Sequence, residues 1–261
     1  MRFALLFACA TLSAQTPPPV RGVNFYSLEK EQALGAQLAA EYRRQTQLFD
    51  APSVNAYLDE LGQRLAAQSP ATGFTYTFEL AGDDQSWIHE AAAFPGGPVF
   101  VPASLILSAA DEDELAAMLA HSIAHIATRQ QTREITRGQI ANMSTIPLIN
   151  MSSGSGYAIR QGAVLAMPLA FLAFQRKNEL ESDQLAVRIL SSAGYDPQAL
   201  ARYIERVQPA DPPLRNPMAP YPDKDKRLAA LQEAIQQLPP ATYSAHPGLD
   251  AIHQDLSLIH I

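Results

Sequence analysis

Ala120-His121-Ser122-Ile123-Ala124-His125 lies inside an apolar run over residues 113–128. The four-residue spacing places both imidazoles on one face of a helix, one turn apart. Two histidines so placed can share one metal ion. Leu115, Met118, Leu119, Ile123 and Ile126 make the run apolar on nearly all sides, so it reads as a central, buried helix. Buried imidazoles need polar partners, and a metal ion is one answer. Asp111-Glu112-Asp113-Glu114 opens the helix, where the helix dipole favours carboxylates. The pattern continues through Arg129, Arg133 and Arg137 and stops at Gly138.

The spacing is that of H-E-x-x-H, a zinc motif whose glutamate is a general base. Ser122 stands where that glutamate belongs. A serine hydroxyl does not take a proton from water at neutral pH, and general acid–base catalysis is worth roughly 10²–10⁴-fold. Zinc alone still lowers the pKa of its water to about 7 and polarises a carbonyl. The expectation is a severely weakened site, which leaves open whether the chain is an enzyme.

A catalytic zinc takes three protein ligands and keeps one position open. The third candidate is Glu179, because Glu179 and Asp183 lie at i and i+4 on one face of a second helix. Glu179 can bind the metal while Asp183 accepts a hydrogen bond from the far nitrogen of a ligand histidine, fixing its tautomer. Glu181 is the next ligand candidate if Glu179 faces away. His89, His246, His253 and His260 have no partner spacing and read as surface or satisfied histidines.

Around this centre the chain of 261 residues fits one sizeable domain or two small ones. A net charge of −7 with no basic cluster argues against nucleic acid as a partner. Arg2, an apolar stretch over residues 3–12 and Ser13-Ala14 read as a signal peptide over residues 1–14, too short to span a bilayer. That implies an exported protein, periplasmic or secreted, with no transmembrane domain in the mature chain. Cys9 is the single cysteine; lipoprotein anchoring through it is the minor reading, because Phe7 is bulky and the apolar stretch before it is short. Residues 15–24 are a Pro-rich linker.

From Ser27 a capped amphipathic helix is expected, followed by a second from Asp50-Ala51-Pro52. Phe74, Tyr76 and Phe78 alternate with threonines, which predicts a strand. Pro95-Gly96-Gly97-Pro98 is a turn, and Val99, Phe100 and Val101 form a short strand whose flanking prolines suit an edge position. Residues 152–156 read as a loop and 164–174 as a buried helix. Further helices are expected after Asp196-Pro197 and from Lys224 to Gln237. Residues 239–261 read as a C-terminal tail, such as a truncation would leave.

The residues resemble a family. His121-x-x-x-His125, Asn178-Glu179-x-Glu181-Ser182-Asp183 and Ala193-Gly194-Tyr195-Asp196-Pro197, with Ala92-Ala93-Phe94-Pro95-Gly96-Gly97 upstream, are similar to the zinc metallopeptidase family that holds the CAAX prenyl protease, HtpX and the periplasmic BepA-like peptidases (family 48 of the metallopeptidases). The resemblance implies an α+β, mostly helical, zincin-like domain over residues 25–238. It also implies a small antiparallel sheet beside the zinc-binding helix, one Zn²⁺ on His121, His125 and Glu179, and Asp183 behind them. Val99, Phe100 and Val101 become the edge along which an extended or unfolded polypeptide substrate adds. The family's His-Pro followed by arginine is matched by Tyr221-Pro222 and Arg227, so Tyr221 and Arg227 are candidates for stabilising the oxyanion. Two functions follow from the two departures. One is an exported zinc endopeptidase acting on unfolded or misassembled polypeptides with impaired catalysis. The other is a non-cleaving pseudo-peptidase that binds extended chains as a chaperone or assembly factor. A domain in which the histidines are merely buried is the third.

Overall fold

The computed structural model describes residues 22–71, 73–82, 90–149, 175–208 and 222–258. The expected signal peptide, most of the expected linker, the expected loop at 152–156 and the segment 164–174 lie outside the described residues. Helix α1 (Leu28–Gln45) starts as its sequence predicts: Ser27 Oγ accepts from Lys30 N at 3.3 Å, with Glu29 and Glu31 in the first turn. Helix α2 (Pro52–Ala66) has proline in its first turn, where no amide hydrogen is needed, and buries Val54, Leu58, Leu61 and Leu65 as one stripe. That stripe packs on strand β1 (Thr77–Ala81) and on the histidine helix. Each fully buried leucine contributes about 1.5–3 kcal/mol through the apolar surface it removes from water.

The sheet is mixed, not antiparallel. Strand β3 (Pro98–Pro102) pairs in parallel with β1 and antiparallel with β2 (Ala92–Ala93), giving the order β1-β3-β2. β3 is therefore the middle strand and not the expected edge. Its prolines stand at its first and last positions, where a missing amide hydrogen leaves the ladder intact. The alternating burial expected from Phe74 is present, but the ladder begins only at Thr77, because that residue faces the first residue of β3. The Gly96-Gly97 turn reverses the chain with φ of 83° and 135°, and a Cβ on Gly97 would lie 2.0 Å from Thr75 O.

After α3 (Ala103–Ser108), helix α4 (Glu112–Ala127) carries the histidines. Asp111 caps it, accepting from Glu114 N at 2.8 Å. As expected, α4 is buried on nearly all sides, between α2 and α7 (Gln198–Val207). It does not run on to Gly138. Thr128 caps it, Arg129 takes a left-handed φ of 56°, and α5 (Gln130–Ile149) starts in a new direction. Holding a non-glycine residue there costs about 1–2 kcal/mol. Two contacts offset this: Arg129 Nε meets Glu31 Oε2 at 2.5 Å, and its Nη2 donates to Tyr26 O at 2.6 Å.

Helix α6 occupies the described residues 175–193, and Gly194, at φ +88°, ends it. α7 packs on α8 (Lys224–Gln236), which Asp223 caps. The segment after Pro239 is not a tail. It ends in α9 (Leu249–Leu258), whose Leu249, Ile252 and Leu256 enter the main core beside α2 and α3. Glu112 Oε2 accepts from Gly248 N at 3.1 Å, and His246 Nδ1 meets Asp113 Oδ1 at 2.9 Å, tying that segment to the start of α4.

Candidate metal centre

On α4 the rings of His121 and His125 stand with centroids 4.5 Å apart and their Nε2 atoms 2.8 Å from one another. Glu179 of α6 closes the group, with Oε2 3.4 Å from His121 Nε2 and Oε1 3.6 Å from His125 Nε2. One ligand atom from each residue falls within 4.8 Å of the other two. His121 is 2% exposed, His125 22% and Glu179 14%, so the group is sealed at the back and open at His125.

The backing fixes what each ring presents. His121 Nδ1 lies 2.9 Å from Asp183 Oδ1, an ion-pair contact that favours a proton on Nδ1. His125 Nδ1 faces Gln130 Oε1. The amide of Gln130 is oriented by donating to Asn178 O and Ser182 Oγ, both at 2.8 Å, which leaves its oxygen for the ring. Both Nε2 atoms thus turn lone pairs toward the same point. Two lone pairs 2.8 Å apart repel unless a proton or a cation lies between them, so the donor set fits a divalent metal ion of borderline softness. Without a metal, a proton fills the role. Burial opposes charge on His121, but the hydrogen bonds and charges of Asp183 and Glu179 outweigh it and push its pKa up to about 10. Burial would raise Glu179, but the two histidine rings beside it hold its carboxyl well below the usual range.

Arg227 of α8 lies 1% exposed behind the group. Its Nε donates to Asp183 Oδ2 at 2.7 Å and its Nη2 to Asp183 Oδ1 at 2.9 Å, with Glu179 Oε2 3.8 Å away. Against the cost of burial, this guanidinium keeps Asp183 below its ordinary value. Ser122 is buried and its Oγ donates to Met118 O at 3.0 Å, on its own helix. Glu181 stands apart, 3.3 Å from Arg133. Tyr221 lies outside the described residues. Val99, Phe100 and Val101 are buried in the sheet.

Sequence reasoning missed two neighbours of this group. Gln130 could not be read as a brace because the break at Arg129 brings it to His125. Glu90 precedes β2 in an alanine-rich stretch without a motif. Its Oε1 is buried, and burial raises its pKa, while the charges of His121, Arg227 and His125 pull it down and that of Glu179 pushes it up. A cleft of about 450 Å³ runs between α1, the turn after β2 and α5, lined by Leu38, Phe94, Pro95, Glu134 and Ile135.

Residues 52–235 match the family model described as Peptidase family M48. The chain belongs to this family. The M48 match runs from the start of α2 to the end of α8 and so contains both histidines, Glu179, Asp183 and Arg227. Beta-barrel assembly-enhancing protease of Yersinia pestis is 27% identical over 224 residues, covering 82% of this chain and 46% of the relative. The protein of that name from Escherichia coli (strain K12) is 26% identical, covering 82% and 45%. Mitochondrial metalloendopeptidase OMA1 of Schizosaccharomyces pombe is 27% identical over 188 residues, covering 69% and 53%. The chain spans about half the length of these curated relatives. Among the described residues no helix is long and apolar enough to cross a membrane.

Proposed function

We propose that this chain is an exported, zinc-dependent endopeptidase acting on unfolded or misassembled polypeptides, slowed at proton transfer because Ser122 replaces the helix glutamate. The observation that carries the reading is the convergence of His121 Nε2, His125 Nε2 and Glu179 on one point, with both Nδ1 atoms engaged behind. When bound there, a zinc ion would supply Lewis acidity, lowering the pKa of a bound water to about 7 and polarising a peptide carbonyl. The chain's own residues do the rest. Asp183 and Gln130 hold the ring tautomers. Arg227 keeps Asp183 charged and, engaged as it is, works from behind the group. The phenol of Tyr221 is the proposed donor to the developing oxyanion. An extended substrate adds to the outer side of β2, which Val99 and Phe100 of β3 hold in place. There Gln131 Nε2 donates to Ala93 O at 2.5 Å, a bond that a substrate amide can replace. Relatives named for enhancing β-barrel assembly support a polypeptide substrate that is incompletely assembled.

The second reading, a non-cleaving binder of extended chains, is favoured by one observation: the Ser122 hydroxyl is spent on Met118 O. Purified protein is expected to hold one equivalent of zinc; none, even after zinc addition, sinks both readings. Casein cleavage by the wild type and by Ser122→Glu then separates them. A gain of roughly 10²-fold or more in the variant supports the slowed enzyme. Equal rates refute the slowing. Binding of unfolded casein without cleavage by either protein selects the second reading.

A further inference from the structure

Gln130, the first residue of α5, meets His125. From the next residue on, Gln131, Glu134, Ile135 and Gly138 follow the i, i+3, i+4, i+7 spacing of one helix face. All four line the cleft of about 450 Å³, whose other described walls are Leu38 of α1 and Phe94-Pro95 just after β2. Among the described residues of that lining, Glu134 alone carries a charge. Its Oε1 accepts from Asn178 Nδ2 at 3.0 Å. That amide orients the carboxylate and leaves its charge in place. Two nearby cations are engaged elsewhere: Arg129 on Glu31 and Tyr26 O, and Arg133 on Thr128 O at 3.2 Å and Glu181 Oε2 at 3.3 Å. The cleft is tied to the metal group in two ways. Gln130, which meets His125 Nδ1, donates to Asn178 O at 2.8 Å, and Asn178 is the residue that donates to Glu134. A narrow gap lined by His125, Gln130, Gln131 and Pro95 shares the last two residues with the cleft.

We propose that this cleft is a subsite for the side chain of an arginine or lysine in an extended polypeptide, with Glu134 as the residue that sets the preference. The proposal rests on the reading that the metal site acts on polypeptide chains. A substrate amide that takes over Ala93 O from Gln131 stands about one helical turn from Glu134 along α5. A long basic side chain suits the lining on both counts. Its methylene stem covers Leu38, Phe94, Pro95 and Ile135, and its charged end reaches the carboxylate. An acidic side chain is repelled there, and a plain apolar one leaves the Glu134 charge against hydrocarbon without a partner of opposite sign. The net charge of −7 adds long-range attraction for the same class of substrate.

The test uses the full zinc-loaded chain and fluorescence anisotropy with short labelled peptides that differ at one central residue: arginine, lysine, norleucine or glutamate. Wild type is expected to bind the arginine and lysine peptides roughly 10-fold or more tighter than the norleucine peptide, the size of a hydrogen bond to a charged group. Glu134→Gln is expected to bind the arginine and norleucine peptides alike. Glu134→Lys is expected to favour the glutamate peptide, which a merely structural role for Glu134 does not produce. No preference in wild type overturns the proposal without any variant having to fold. A preference that persists in Glu134→Gln overturns it as well, because it then comes from the overall charge. So does a wild type that binds none of the peptides. Casein cleavage, measured alongside, separates the two claims. A wild type that prefers basic peptides and does not cleave refutes only the peptidase reading, whereas one that cleaves and shows no preference refutes only the subsite.

Discussion

Replacing Arg227 by methionine removes the positive half of a pair that is 2% exposed on one side and 1% on the other. Methionine fills most of the volume, so the loss is mainly electrostatic. Two hydrogen bonds of 2.7 and 2.9 Å disappear, and Asp183 is left charged and buried, facing only His121. Removing one partner of a buried pair costs about 3–5 kcal/mol. At about 2–4 °C per kcal/mol for a domain of this size, the apparent melting temperature should fall by roughly 6–20 °C. Asp183 braces a ligand ring, so zinc affinity should fall with it, by about 10-fold or more. Urea unfolding followed by circular dichroism and chelator competition measure the two effects. Asp183→Asn combined with Arg227→Met should recover stability relative to Arg227→Met alone, since both buried charges are then gone. A single variant within about 1 kcal/mol of wild type, with zinc affinity unchanged, refutes the view that α8 supports the site through this pair.

Gln130→Ala should lower zinc affinity by about 10-fold while leaving the melting temperature of the metal-free protein within a few degrees, because it frees His125 to change tautomer. Leu256→Ala should cost about 2–5 kcal/mol in urea unfolding, a loss that a dangling tail would not show. The pH dependence has a defined sign: Asp183 titrates in the folded chain below its ordinary 3.8, so its contribution is present above that value and is lost as pH falls through the lower folded one. Urea midpoints followed downward from pH 3.8 should therefore fall more steeply in wild type than in the Asp183→Asn, Arg227→Met double variant.

Most helices could be read locally because their signals are local. Ser27 caps where it was expected to, the acidic run from Asp111 opens its helix as expected, and the α2 stripe is evident from Val54, Leu58, Leu61 and Leu65. The candidate ligands were legible for the same reason, since two i,i+4 pairs each define a helix face. What escaped depends on distant partners. No residue in Val99-Phe100-Val101 announces that β1 will pair on one side and β2 on the other. Arg129 has none of the composition that usually accompanies a left-handed residue, so the break after α4 was invisible, and with it Gln130. Leu249, Ile252 and Leu256 form a stripe of only three, and its partners lie on α2 and α3, nearly two hundred and about one hundred and fifty residues earlier.

The break at Arg129 also sets a chain of command. The matched family segment begins at residue 52, after α1, yet Glu31 of α1 grips Arg129 and accepts from Thr132 Oγ1 at 3.1 Å. Asn24 Nδ2 reaches the same threonine at 2.8 Å, and Phe25 N reaches Thr136 Oγ1 at 3.0 Å. The angle between α4 and α5 is thus latched from outside the matched segment, and that angle decides whether Gln130 meets His125. An event that unlatched residues 24–31 would be felt one residue later as a loosened imidazole, so metal affinity doubles as a gauge of whether the amino-terminal helix is docked.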